Sequence, residues 1–271
     1  DYNTLEGVNA SKLKSYYESS LNGNYEQNKP RTESEAMFKG TMAHSMILEP
    51  NKFDDEYALM PEAPEELWLV KSGKRKGMRA LKKPVSVTEW ENNLPNDKKY
   101  ASKELFNLVH DMDDSVIGDK DCKKILDLCP MRETAITWTD KRTGLKCKAL
   151  IDGLGTKLAM DLKTARDIPK RFNLEGELDL EKTAQAIKWK LLIDTKNILQ
   201  FAFYFDGCLA NDLELDRFGA VVVKNDYPVE SLALLFNEDT METGRTMYNR
   251  ALDNYIDREN NKSAFNGIME V

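Results

Sequence analysis

The chain has 271 residues, of which 41% are hydrophobic and 31% charged, and this composition excludes a disordered protein. Its net charge of −7 argues against a protein that coats nucleic acid nonspecifically. It does not exclude an enzyme that acts on nucleic acid, because the electrostatic field at an active site depends on the charges near it. The sequence has no run of about 18 apolar residues and no N-terminal layout of a secretion signal, so we expect no membrane span and a cytoplasmic location.

The first part of the chain, residues 1–130, is predicted to be mainly helical. Residues 10–21 have the spacing of a short amphipathic helix, and residues 32–50 that of a longer one. Thr32 and Glu35 suggest a capping box at the start of the longer helix, and Pro50 should stop it soon after Leu48. Residues 61–84 are predicted to be loop and residues 86–127 mostly helix, with helix-start signals in the segments SVTEWEN and SKELFNLVHDM.

One stretch of the predicted loop is strongly basic. Residues 71–84 contain no acid and seven basic residues: Lys71, Lys74, Arg75, Lys76, Arg79, Lys82 and Lys83. A solvated, mobile loop and a loop that orders on a phosphate backbone are both consistent with this composition. The candidate DNA contacts in it are Lys74, Arg75, Lys76 and Arg79.

From Glu133 onward the hydrophobic period changes to two, which indicates strands. Residues 133–152 are predicted to form a hairpin around the turn segment DKRTG, and a third short strand follows. The remaining elements are predicted as two helices, two strands and a closing helix, at 181–193, 195–212, 217–225, 229–236 and 237–258. This order predicts one α/β domain over residues 1–271, with a mixed sheet in its catalytic core at 131–271 and a helical N-terminal elaboration.

The four cysteines are scattered along the chain, and no C-x-x-C pair occurs. A zinc or iron–sulfur centre usually has more closely spaced ligands, so these residues are predicted to be free, partly buried thiols. They are Cys122, Cys129, Cys147 and Cys208.

Two carboxylates stand at the ends of predicted buried strands. Asp161 and Lys163 share one strand face, and Asp152 ends the neighbouring strand nine residues earlier. The sequence D-x-K is common in this chain and by itself means little, and a structural Asp161–Lys163 salt bridge is the simpler alternative. That alternative leaves Asp152 unexplained, because two adjacent carboxylates repel unless a cation lies between them. Oxygen ligands favour Mg²⁺ or Mn²⁺, which activates water and neutralises phosphate, so the pattern points to phosphodiester hydrolysis.

Two further signals are weak when taken singly. His44, in the segment GTMAHS, shares a helix face with small residues, although a lone histidine is more often a core residue. His110 is assigned to the core on the same argument. In the segment QFAFY, Gln200 and Tyr204 lie one above the other on a helix face, which an ordinary aromatic stripe also explains.

In chain order, the segments GTMAH, ALID, MDLKT and QFAFY resemble the RecB-like branch of the PD-(D/E)xK nuclease superfamily. That branch shows G-x-x-x-H, an Asp, D-[VL]-K and Q-x-x-x-Y in this order. Longer segments, including ASKLKSYYESS and ETAITWTDKRTGLKCKALIDGL, are similar to RecE-type phage recombination exonucleases over nearly the whole chain. The resemblance implies a restriction-endonuclease-like fold, with a mixed central sheet flanked by helices.

The resemblance also implies roles for individual residues. Lys163 would position the attacking water and stabilise developing charge, and Glu133 would serve a second ion, although one or two ions stay open. Gln200 and Tyr204 would hold Lys163 or the scissile phosphate. The implied ligands of Mg²⁺, for which Mn²⁺ should substitute, are His44, Asp152, Asp161 and the main-chain carbonyl of Leu162.

RecE-type enzymes degrade one strand of linear double-stranded DNA from the 5′ end and leave a 3′ overhang for recombination by strand annealing. The resemblance therefore implies a Mg²⁺-dependent exonuclease that forms a ring-shaped homo-oligomer, works with a single-strand annealing protein and is encoded by a phage or prophage. One alternative is a catalytically inactive, nuclease-like DNA-binding or structural module. Another is a RecB-type nuclease with an iron–sulfur cluster, against which the scattered cysteines argue.

Overall fold

The computed structural model describes residues 2–30, 32, 34–62, 90 and 93–263. The predicted basic loop at residues 71–84, including Lys74, Arg75, Lys76 and Arg79, lies outside the described residues. So do residues 86–89, 91 and 92 of the segment predicted to be helical.

Short, well-capped helices build the N-terminal part of the chain. Residues 10–21 do not form the single helix that was predicted, because Ser19 accepts a hydrogen bond from the Asn22 amide and starts a second helix there. The predicted capping box at Thr32 is also wrong, since Ser34 caps the third helix. The helices are α1 (Ala10–Tyr16), α2 (Ser20–Asn28), α3 (Glu35–Leu48) and α4 (Pro50–Glu56).

A small parallel sheet follows, formed by β1 (Tyr57–Leu59) and β2 (Lys99–Ala101). The strand β2 lies within residues that were predicted to be helical, and it corrects that prediction. Ser102 then caps α5 (Lys103–Gly118), as the start signal in its sequence indicated, and α6 (Lys120–Leu128) follows.

The central sheet has five strands in the order β3-β4-β5-β6-β7. Neighbouring strands are antiparallel except β5 and β6, which are parallel. This mixed sheet confirms the predicted α/β class, and the predicted hairpin is its β3–β4 pair. The strands are β3 (Met131–Thr139), β4 (Lys146–Leu154), β5 (Leu158–Ala165), β6 (Arg217–Lys224) and β7 (Ser231–Leu235).

A helical crossover joins β5 to β6, as a parallel pair requires. It contains α7 (Leu180–Ile187), a π-helical segment (Lys188–Ile193) and α8 (Asn197–Ala210). After β7 the chain closes with α9 (Glu238–Ile256). The predicted helix at 181–193 is thus an α-helix that widens into a π-helix, a form often found at functional sites.

Helices cover both faces of the central sheet. The larger core lies under α8 and α9, and a second core lies under α3, α5 and α6. Buried side chains surround α8 on nearly all sides, which is typical of a helix enclosed within a core. Gly244 of α9 permits close packing there, because a Cβ atom would lie 2.3 Å from the Ile198 carbonyl oxygen.

The remaining sequence expectations concern isolated residues. His110 packs against the rings of Phe53 and Phe106, with centroid distances of 5.9 and 5.0 Å, beside a third, smaller apolar cluster. All four cysteines are free and buried, and burial raises the pKa of three of them to about 12, for Cys122, Cys147 and Cys208. Among the described helices, none is both long and apolar enough to span a membrane.

Candidate metal centre

The candidate site lies where strands β4 and β5 separate. These strands pair at Gly153–Met160 and Leu154–Ala159, and the next residues in register are Asp152 and Asp161. There the Asp152 side chain replaces a backbone carbonyl as the hydrogen-bond acceptor, since its Oδ2 accepts a 2.7 Å hydrogen bond from the Leu162 amide. The fork therefore holds a buried carboxylate between two strands.

Three side chains from three elements meet at Asp152. His44 of α3, Glu133 of β3 and Asp152 of β4 each offer one ligand atom, and these atoms all lie within 4.8 Å of one another. His44 Nδ1 is 3.7 Å from Asp152 Oδ2. A group of one imidazole and two carboxylates at this spacing has the geometry needed to hold a hard divalent cation.

Glu133 reaches this group through an irregular backbone. It has a φ of 45°, in the left-handed region, and it interrupts the ladder between the Arg132–Gly153 and Thr134–Ile151 pairs. Such a conformation costs about 1–3 kcal/mol in a residue other than glycine and is concentrated at functional sites. The interruption places Glu133 opposite Asp152, its neighbour in register.

Asp161 is fully buried and has partners on both oxygens. Its Oδ1 accepts a 2.7 Å hydrogen bond from Gln200 Nε2, and its Oδ2 forms an ion pair with the Lys163 ammonium. The structure therefore contains the salt bridge that was the simpler alternative, and the group of His44, Glu133 and Asp152 lies beside it. Asp161 is not part of the His44–Glu133–Asp152 group, so its role as a metal ligand stays a prediction, as does that of the Leu162 carbonyl.

Lys14 is a site residue that the sequence did not identify. It extends from α1 and donates hydrogen bonds to Gln200 Oε1 at 2.7 Å and to Asn197 Oδ1 at 2.9 Å. Because the Asp161 carboxylate only accepts, Gln200 turns its NH₂ group towards Asp161 and its oxygen towards Lys14. Tyr204, one turn along α8, is buried beside Gln200, and burial raises its pKa well above the usual range.

The protonation states follow from burial and neighbouring charges. Burial, followed by repulsion from Asp161, raises the pKa of Asp152 well above its usual range. Burial and the nearby Glu49 also raise the pKa of Glu133. These two acids are therefore costly to ionise unless a cation joins them.

The nitrogen bases respond differently. Although 30% of the His44 side chain is exposed, burial of the rest and the nearby Lys163 lower its pKa to about 4, so the imidazole is neutral. Burial disfavours the Lys163 ammonium, but Asp161 and Asp152 outweigh it and raise the pKa. Burial and the charge of Lys163 lower the pKa of Lys14 to about 7.

A solvent-accessible cleft of about 420 Å³ leads to this group. His44, Glu133 and Lys163 line it, together with two more acids, Glu49 and Glu56. Gly40 also lines it, and a Cβ atom there would lie 3.5 Å from Thr164 Oγ1, an ordinary contact, so close packing does not require a glycine at that position.

Comparison with known proteins places this chain in a family. The sequence model of the family described as "PDDEXK-like domain of unknown function (DUF3799)" matches residues 10–265. The chain belongs to this family. The match extends from α1 through the end of α9, so the helical N-terminal part and the sheet are both included.

Within the matched residues, Asp161, Leu162 and Lys163 form a D-x-K sequence, and Asp152 precedes it on the neighbouring strand. Among solved structures, a Eubacterium rectale protein provisionally described as an exonuclease is similar, with 12% sequence identity and a TM-score of 0.58. The similarity covers 94% of this chain and 82% of the other, and at this identity it shows a shared fold. No curated protein matches the sequence.

Proposed function

We propose that this PDDEXK-like domain is a metal-dependent deoxyribonuclease that hydrolyses phosphodiester bonds in linear double-stranded DNA. The observation that carries the proposal is the convergence of His44, Glu133 and Asp152 within 4.8 Å of one another, beside the Asp161–Lys163 pair. A structural salt bridge needs no second and third acid, and burying these acids together without a cation is unfavourable.

The donor set fits a hard divalent cation. Two carboxylates and a neutral imidazole would hold Mg²⁺ or Mn²⁺, and Asp161 and the Leu162 carbonyl are the further ligands proposed from the resemblance. When bound, such an ion neutralises phosphate charge and makes water a better nucleophile. Acids also line the cleft, so a DNA phosphate would be repelled from it unless this charge were neutralised.

The chain's own residues have separate tasks in this proposal. Lys163 keeps its proton, because Asp161 and Asp152 raise its pKa, so it stabilises negative charge on the phosphate and does not accept a proton. Gln200 holds the Asp161 carboxylate, which in turn orients the Lys163 ammonium. His44 stays neutral near pH 7, which leaves a ring nitrogen lone pair available for a ligand bond.

The finer activity is proposed from resemblance. The similarity to RecE-type enzymes, together with the exonuclease description of the Eubacterium rectale protein, supports a 5′-to-3′ exonuclease that leaves 3′ overhangs for strand annealing. A ring-shaped homo-oligomer, a single-strand annealing partner and a phage or prophage origin are proposed on the RecE resemblance alone.

Digestion of a duplex labelled at one 5′ end, with and without Mg²⁺, tests activity, polarity and metal need together. We expect early release of the label as a short product in the presence of Mg²⁺, and none in EDTA. Asp161→Asn should abolish it, and Asp216→Asn, which changes an exposed acid next to β6, should not. Binding of the duplex without any digestion, in Mg²⁺ or Mn²⁺, would favour the inactive DNA-binding module instead.

A further inference from the structure

A second cleft, of about 380 Å³, shares Lys163 and Thr164 with the acid-lined one. Its other walls come from the segment after β5, the π-helical segment and α8. The two clefts therefore meet at Lys163 and Thr164, and three acids line the first cleft whereas one lines the second. This volume accommodates a small ligand or one unit of a polymer.

The walls of the second cleft combine free cations with an apolar floor. Arg166 and Lys190 line it, and the side chain of neither forms an ion pair or hydrogen bond with any residue that the structure describes. The nearby Lys170 and Lys196, in contrast, pair with Glu230 and Glu18. One acid, Asp167, is among the lining residues, so positive charge predominates there.

The floor is formed by buried side chains of the sheet and its helices. Leu192, Phe201 and Val222 line the cleft, and each is at most 5% exposed overall. The Lys163 ammonium lies 5.7 Å from the centroid of the Phe201 ring. A ligand here would meet cations at the rim, an apolar surface below and the reactive centre at one end.

We propose that this cleft binds one nucleotide of the cut DNA strand, next to the scissile bond. Its phosphate lies on Arg166 and Lys190, and its sugar and base lie against Leu192, Phe201 and Val222. A nucleotide combines an anion with a large flat apolar group, which is the combination that these walls match. The proposal rests on the proposed nuclease function, and it names where the strand continues beyond the scissile phosphate.

The first test is the kinetics of the double variant Arg166→Gln/Lys190→Gln on a short linear duplex with Mg²⁺. We expect the KM for DNA to rise at least about tenfold, because two charge-assisted phosphate contacts are lost, while kcat changes less than about threefold. The matched control is Lys188→Gln, which removes a charge from the same π-helical segment outside the cleft and should leave KM within about twofold. An unchanged KM in the double variant would overturn the proposal.

The second test is a binding measurement that does not depend on hydrolysis. Titration of the dinucleotide d(TpT) into the wild-type protein in EDTA should show binding that the double variant loses, and inorganic phosphate should bind at least about tenfold more weakly. Equal affinity for phosphate and d(TpT) would reduce the cleft to an anion site and contradict the nucleotide assignment. Because Arg166 and Lys190 are exposed, the variant should keep the wild-type Tm, which is its folding control.

The two readouts separate the two proposals. A wild-type protein that binds d(TpT) through Arg166 and Lys190 but digests no DNA would end the nuclease assignment and leave the nucleotide site standing. A protein that digests DNA, with KM and d(TpT) binding unaffected by the double variant, would end the nucleotide site and leave the nuclease standing.

Discussion

Asp152 and Glu133 are costly to ionise in the metal-free site. Burial and repulsion from neighbouring acids raise the pKa of both, so the ionised forms are disfavoured without a cation. Acids that are arranged to bind a cation lower the stability of the metal-free protein, which is a common trade-off between function and stability. Substitution of one acid should therefore weaken metal binding without lowering the stability of the fold.

Asp152→Asn removes a proposed metal ligand but keeps an oxygen that can accept a hydrogen bond from the Leu162 amide. We expect its Tm in EDTA to equal or exceed that of the wild type, because a repelling charge is gone. We also expect it to lose the rise in Tm that Mn²⁺ causes in the wild type. Differential scanning fluorimetry with and without Mn²⁺ measures both. A wild-type-sized rise in the variant would exclude Asp152 as a ligand.

Lys163→Met removes the ammonium that Asp161 holds and keeps most of the side-chain volume. We expect kcat for DNA hydrolysis to fall by about a hundredfold or more, as when a preorganised electrostatic group is lost. Duplex affinity should stay within a few-fold, because backbone contacts elsewhere dominate binding. Lys157→Met, at an exposed lysine before β5, is the control. Near wild-type turnover in Lys163→Met would contradict the mechanism.

Lys14→Met removes the donor that fixes the orientation of Gln200. We expect about a tenfold loss of kcat, in the range seen when a residue that orients a metal ligand is changed. Because Lys14 acts through Gln200, adding Gln200→Leu should cost little more, and a double-mutant cycle measures this coupling. Lys12→Met on the same helix should be neutral. Fully additive losses would mean that Lys14 acts independently of Gln200.

Sequence reasoning found most of these side chains but not their contacts. His44, Asp152, Asp161 and Lys163 stand out through motif order, and the structure places all four at one fork. Lys14 carried no signal, because a lysine on an amphipathic helix is usually exposed, and only the packing of α1 near α8 turns it inward.

The interface of α8 and α9 shows what determines packing at the level of elements. Gly244 faces the backbone of α8, where a Cβ atom would lie 2.3 Å from the Ile198 carbonyl oxygen and 2.7 Å from Ala202 Cβ. The helices are predictable from periodicity, but their separation depends on this one residue without a side chain. Since α8 carries Gln200, the separation also positions the site.

Gly244→Ala should lower the free energy of unfolding by about 1–3 kcal/mol through overpacking. Alanine also stabilises a helix by roughly 1 kcal/mol relative to glycine, so a net loss of stability must come from the steric clash. Gly118→Ala at the end of α5 is the matched control, since no atom lies within 4 Å of its added Cβ, and it should be neutral or slightly stabilising. Urea denaturation measures both. Equal stability of the two variants would contradict the close packing.

Errors in element prediction arose where local signals compete. Two caps, Ser19 and Ser34, moved helix starts away from the predicted positions, because several adjacent polar residues can each serve as a cap. The strand β2 was missed because it has three residues and is stabilised by pairing with β1, which is distant in the sequence. Long periodic segments such as β4 and α9 were predicted within a few residues of their ends.

For the whole molecule, the effect of metal on stability should depend on pH. Asp152 and Glu133 have raised pKa values, so their contribution to metal-free stability is present at low pH and is lost as pH rises. A cation needs their ionised forms, and His44, with a pKa of about 4, is already neutral above pH 5.5. The benefit from metal should therefore grow with pH.

Melting temperatures with and without Mn²⁺ at pH 5.5 and pH 7.5 test this expectation. At a concentration about a hundred times Kd, bound metal adds about 2.7 kcal/mol to the free energy of unfolding. We expect the rise in Tm at fixed Mn²⁺ to be larger at pH 7.5 than at pH 5.5. A rise that is equal or smaller at pH 7.5 would mean that these carboxylates do not bind the ion.

The sequence by itself determined the α/β class, the hairpin that carries Asp152, and the placement of Asp161 and Lys163 on one strand face. These follow from local geometry, because residue spacing sets the face of a strand or helix. Only the tertiary structure decided that Glu133 joins His44 and Asp152, that Gln200 and Lys163 hold Asp161, and that Lys14 orients Gln200. Those contacts depend on strand register, an irregular backbone at Glu133 and the packing of helices from distant parts of the chain, none of which residue spacing specifies.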